Sequence, residues 1–179
     1  MATAAQQLSQ LKQAELLVQQ DPSHYPTIIP AVLGVTAQPD ISLRRWIANF
    51  LTNTFASRQL DGQVKEDLAA ISLDPLRALI DASDDVVLKN CILCSSLIYP
   101  ILFRRVYITP KIRLNRRCKN TNEAPLWGKL GQLKTKLLRI WDQSTSEGVR
   151  IAGAKFIAKV VATQTPGIKD PRVSSLSKT

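Results

Sequence analysis

One phrase occurs three times along this chain: an acidic or Ser-rich turn, an aliphatic residue beside a base, then an apolar run. The copies are Pro39-Asp40-Ile41-Ser42-Leu43-Arg44, Ser83-Asp84-Asp85-Val86-Val87-Leu88-Lys89 and Ser144-Thr145-Ser146-Glu147-Gly148-Val149-Arg150. Asp and Ser satisfy the free amides that open a helix, and a helix-opening phrase repeated at a long period is the pattern of stacked helical hairpins. Such an array is an all-α solenoid, whose extended surfaces serve binding more than catalysis.

The intervening sequence is helical in period. Thr3-Ala4-Ala5-Gln6 has the form of a capping box, and a first helix is expected over 4–20. A second covers Tyr25 to Thr36, with a kink or a start near Pro30. From Asp40, the residues Leu43, Trp46, Ile47, Phe50, Leu51 and Phe55 form a wide apolar stripe. The next helix opens at Asp61-Gly62 and is expected to break near Asp74-Pro75. Val86 to Phe103 is apolar nearly all round, which makes it the central helix of the stack. Truncating Leu93 or Ile98 there is expected to cost about 2–5 kcal/mol. Leu126 to Trp141 and Val149 to Val161 form the last hairpin.

Leu43 and Leu88 are 45 residues apart, inside the span of HEAT-type and armadillo-type repeats, whereas Leu88 and Val149 are 61 apart. The excess falls on Val106 to Asn122, which is basic, shows no helical stripe and contains Pro110. The expected architecture is a HEAT/armadillo-like α-solenoid of about three hairpins within residues 1–165, with 106–122 as an inserted loop. Residues 166–179, rich in Pro, Ser and Lys, are expected to form a disordered tail.

The net charge is +10, of which seven positive charges lie between Arg104 and Lys119 with no acid among them. The rest of the chain carries only +3, so the charge belongs to a segment and not to a face of the fold. Three readings of that segment stand side by side. It is a nucleic-acid or acidic-peptide contact using Arg113, Arg116, Arg117 and Lys119, with Tyr107 as a stacking ring; it is a solvated loop; or it is a retained intron in a conceptual translation.

No catalytic constellation emerges. Cys91-x-x-Cys94 has redox or metal spacing but lies in the most apolar helix, and Cys118 and the lone His24 are too scattered to complete a zinc set. Both cysteines therefore read as core thiols, in a chain with too few for a disulfide framework. Asp84-Asp85 reads as capping, and Gly128-Lys129-Leu130-Gly131 lacks the glycine spacing of a phosphate loop. No cofactor or metal is expected, and the protein is not expected to be an enzyme. Lys89, Asn90, Ser95-Ser96 and Pro100 interrupt the most apolar window, so no membrane span is expected.

Lys89-Asn90-Cys91-Ile92, Tyr99-Pro100 and the block from Trp141-Asp142 through Glu147-Gly148-Val149-Arg150 to Lys155-Phe156-Ile157 resemble the amino-terminal domain of the symplekin family. The likeness is closer to the fungal members, which belong to the pre-mRNA cleavage and polyadenylation factor. It runs from near the start to about Thr165, apart from 106–122. The resemblance implies a nuclear, non-enzymatic HEAT-like scaffold. Its partners would be a phosphatase of the RNA polymerase II carboxy-terminal domain and other cleavage and polyadenylation subunits, with RNA secondary. Family members are much longer, so a fragment or a truncated gene model is expected.

In a stack of hairpins the second helices line one concave side, and here these carry Arg44, Arg45, Lys89, Arg150 and Lys155. Those bases either face an acidic partner or pair with acids of the neighbouring turn. The alternative function is an RNA-contacting adaptor that uses the basic segment 104–119.

Overall fold

The computed structural model describes residues 3–37, 39–81, 84–107 and 123–164. Among these residues there are seven α-helices and no strand: α1 (Ala4–Gln20), α2 (Tyr25–Gly34), α3 (Ile41–Ala56), α4 (Gly62–Ile80), α5 (Asp85–Tyr107), α6 (Glu123–Gln143) and α7 (Glu147–Gln164). A 3-10 turn, Pro22–His24, joins the first two. Helices α2, α4 and α6 pack side by side in one layer, α3, α5 and α7 in the other, and α1 lies against α2 and α3 at one end. This is an α-solenoid of three hairpins preceded by one helix.

The repeated phrase opens the second helix of each hairpin. Asp40 Oδ1 accepts from the Leu43 amide at 2.8 Å, and Asp84 Oδ1 accepts from the Val87 amide at 3.0 Å. The Ser146 carbonyl takes the first helical bond of α7, from the Arg150 amide at 3.0 Å. Side-chain caps of this kind contribute about 0.5–2 kcal/mol each. The residue three places after each cap, Leu43, Val87 and Val149, is fully buried. That alignment corrects the register read from sequence, because Val87 and not Leu88 is the counterpart of Leu43. Lys89 therefore occupies the position of Arg45, and the caps are separated by 44 and 62 residues.

Helix α4 does not break at Pro75; it is continuous from Gly62 to Ile80. Proline cannot donate to the carbonyl four residues back, which belongs to Ile71, and Ile71 lies on the exposed side of the helix where water can serve that carbonyl. Leu73, Leu76 and Leu79 are fully buried around it and hold the turn in place. Helix α2 likewise runs through Pro30, ending at Gly34 and not at Thr36. Helix α5 continues to Tyr107, two residues into the stretch expected to be irregular, and 108–122 lies outside the described residues.

Helix α5 packs on α3, α4, α6 and α7. Its length and composition would suffice to cross a membrane, yet half of that apolar stretch is buried inside the fold. Cys91, Ile92, Cys94, Ile98 and Leu102 are fully covered. Burial pushes the Cys91 thiol up to about 12 and Cys94 well above its ordinary value, so both are unreactive core thiols. Leu93 differs from the expectation: it is only partly buried, against the core's edge.

The last hairpin closes on a glycine. A β-carbon at Gly153 would stand 2.1 Å from Cδ1 of Trp141, so only glycine lets the indole lie across α7. Trp141 Nε1 then donates to the Arg150 carbonyl at 3.1 Å.

Two stability effects follow. In urea denaturation, Ile98→Ala should cost about 2–5 kcal/mol, whereas Leu93→Ala should cost clearly less because part of its side chain already meets solvent. Gly153→Ala should cost about 1–3 kcal/mol by forcing the Trp141 ring aside.

Candidate functional site

The bases singled out in the sequence begin on the α3–α5–α7 layer but do not share one fate. Arg45 is committed: its Nε donates to Asp84 Oδ1 at 3.1 Å and its Nη2 to Asp84 Oδ2 at 2.7 Å. Asp84 thus caps α5 and fastens α3 to it in one side chain. The Arg45 hydrogen bond, helped by the Val87 amide, holds the Asp84 carboxyl below the usual aspartate range. Arg44 is half-buried and engaged in a contact of its own.

Lys89 stands one repeat further on, in the place of Arg45, and the acid that would meet it is missing because Ser146 stands where Asp84 does. Its stem instead lies over Gly148, within 3.6 Å of where a β-carbon would be. Across the α5–α7 seam is Lys155. The two lysines flank a groove of about 180 Å³ whose other walls are Leu93, Gly148, Ile151 and Ala152. Ile151 is 50% exposed. Beyond Ile151, a wider depression of about 380 Å³ is lined by Trp141, Thr145, Glu147, Arg150 and Ala154. Among the described residues Lys89, Arg150 and Lys155 form no ion pair with an acid.

The face therefore combines unpaired cations with exposed apolar side chains. Sequence reasoning found its bases but missed Leu93, Gly148, Ile151 and Trp141, which do as much to shape it. The signal was present in the burial phase: Ile151 falls two places after buried Val149, on the side of α7 that the core does not reach.

Three bases elsewhere are paired along α4. Asp67 and Asp74 on α4 and Asp81 at its C-cap recur every seven residues, near enough to two helical turns to share one side. Asp67 takes Arg105 at 2.7 Å, Asp74 takes Lys129 and Asp81 takes Lys136. Of the sequence candidates for nucleic acid, Arg113, Arg116, Arg117 and Lys119 lie outside the described residues. His24 ends the 3-10 turn, 3.8 Å from Asp21. Gly128 and Gly131 lie inside α6, so their segment forms no loop. No group of three or more His, Cys, Asp or Glu suited to a metal occurs among the described residues.

Comparison with known proteins assigns the chain to a family. Residues 84–179, more than half of the chain, match the family model Symplekin/PTA1 N-terminal. The chain belongs to that family. The symplekin/PTA1 match takes in α5, α6, α7 and their groove, and it carries on to Thr179, past the boundary drawn near Thr165. The chain is also 34% identical over 170 residues to the mRNA cleavage and polyadenylation specificity factor complex subunit pta1 of Schizosaccharomyces pombe. That alignment takes in 95% of this chain and 24% of the relative, so the chain spans about a quarter of that protein's length.

The Asp84 joint has a defined pH signature. Because its folded pKa is depressed, the stability it contributes is present above the unfolded aspartate value, about 3.9, and is lost as pH falls through the lower folded value. Asp84→Ala should cost about 1–2 kcal/mol at neutral pH, and the gap from the parent protein should close as urea denaturation is repeated at successively lower pH in that window.

Proposed function

We propose that this chain is a non-enzymatic scaffold module of the nuclear machinery that cleaves and polyadenylates mRNA. In this reading its α5–α7 face docks a phosphatase acting on the carboxy-terminal domain of RNA polymerase II. Membership of the symplekin/PTA1 family supports the setting, as does the relative that is a subunit of a cleavage and polyadenylation complex. The observation that carries the docking reading is the pair Lys89 and Lys155, unpaired on either side of a groove floored by Leu93 and Ile151. Unpaired cations steer an acidic surface into place, and the apolar floor supplies the desolvated contact that holds it.

An RNA-binding role through 104–119 draws less support. Arg105 is already tied to Asp67, and the groove offers no aromatic ring for a base to stack on.

Calorimetric titration with the polymerase-tail phosphatase of the same organism tests the proposal. The parent chain and a version lacking 108–122 should bind alike. Lys89→Glu and Lys155→Glu should each weaken binding about tenfold or more, which is about 1.4 kcal/mol. Arg45→Glu should act on stability and leave the docking of the folded protein nearly unchanged. No binding by the folded parent, or binding indifferent to both lysine reversals, would overturn the docking proposal.

A further inference from the structure

We propose that a second pocket, between the C-terminal end of α3 and the C-terminal half of α5, captures an acidic peptide segment anchored by one apolar side chain. It stands independently of the phosphatase reading: the pocket shares no lining residue with the Lys89–Lys155 groove. The cavity measures about 390 Å³, within the range of pockets that enclose small ligands or side chains.

Its walls are of two kinds. Phe55, Ala56, Leu97, Pro100 and Ile101 supply apolar surface, and Lys65 and Lys159 supply positive charge; no acid takes part. Lys65 reaches in from α4 and donates to the Ser57 carbonyl at 2.8 Å, closing the end of α3. That bond uses only part of its donor capacity, and the remaining N–H groups have no carboxylate partner among the described residues. Burial holds the Lys65 ammonium below the ordinary lysine value, a cost that an incoming carboxylate would offset. Lys159 is exposed and likewise forms no ion pair among the described residues.

The backbone adds a matching acceptor. Pro100 has no amide hydrogen, so the Ser96 carbonyl four residues earlier lacks its usual helical donor, and both residues line this pocket. A peptide brings all three complements: carboxylates for the lysines, an N–H for an underused carbonyl and an apolar side chain for the wall. Nucleic acid brings only the charge, since the one aromatic residue present, Phe55, is buried at 2% exposure and offers no stacking face.

The test is fluorescence anisotropy on the full chain with a labelled short peptide of alternating glutamate and leucine. The same peptide with glutamine for glutamate, and a single-stranded RNA, serve as comparison probes. Lys159→Glu removes charge, and Ala56→Trp fills the pocket from its exposed lip without touching a charge. Thermal melting confirms that each variant is folded. The acidic peptide should bind saturably, the glutamine peptide about tenfold more weakly or worse, and both variants should weaken the acidic peptide by about tenfold. Lys155→Glu should leave it unchanged. Absence of acidic-peptide binding, equal loss with Lys155→Glu, or indifference to Ala56→Trp would overturn the proposal, as would RNA binding that depends on the pocket in place of the peptide. Phosphatase binding should be untouched by Ala56→Trp, so either reading can fail without the other.

Discussion

The burial of α5 is the interaction on which the rest of the structure depends. A helix that is apolar on nearly every side cannot rest against a single neighbour, and α5 is covered by α3, α4, α6 and α7 at once. Each of those helices presents its own stripe to α5, so their registers are set relative to it. The prolines show how strongly this packing governs: Pro75 and Pro100 each remove a helical hydrogen bond, yet neither α4 nor α5 ends there. A lost bond on a partly wet side is outweighed by the apolar side chains buried on either side of it.

Electrostatics then divides the molecule in two. Acids spaced by seven along α4 neutralise bases from the end of α5 and from α6, tying α4 to the helices on both sides of residues 108–122. Exposed pairs like these add little to stability, so their effect is on register and on charge distribution. On the α5–α7 side, Lys89, Arg150, Lys155 and Lys159 form no ion pair with an acid among the described residues.

Most helix positions (though not the continuity of α4 through Pro75), the capping box, the central place of α5 and the inertness of Cys91 and Cys94 were legible, because each follows from local period and composition. What escaped the sequence depended on neighbours in space. Leu88 and Val87 are equally apolar, and only packing reveals that Val87 is the residue turned to the core, which moves Lys89 into the position of Arg45. Leu93 reads as core by composition but borders the groove where the Lys89 stem lies over Gly148. The Lys65 pocket gathers residues from α3, α4, α5 and α7, and no spacing rule links them.

That register has a consequence for how a repeat array acquires a site. Between the first two hairpins, the cap of one second helix receives the base of the preceding one: Asp84 holds Arg45, and the joint is closed. Between the next two, the same position is Ser146. The Ser146 carbonyl still takes the first helical bond, but the serine carries no charge to hold Lys89, and Gly148 beside it leaves room for the lysine stem. One substitution in a capping position therefore separates a structural ion pair from an available cation. The cost to the fold is small, since an exposed pair contributes at most about 1 kcal/mol, whereas an unpaired base beside Ile151 is free to meet a partner. A solenoid can in this way place a binding surface at one seam and not at the next without changing its backbone.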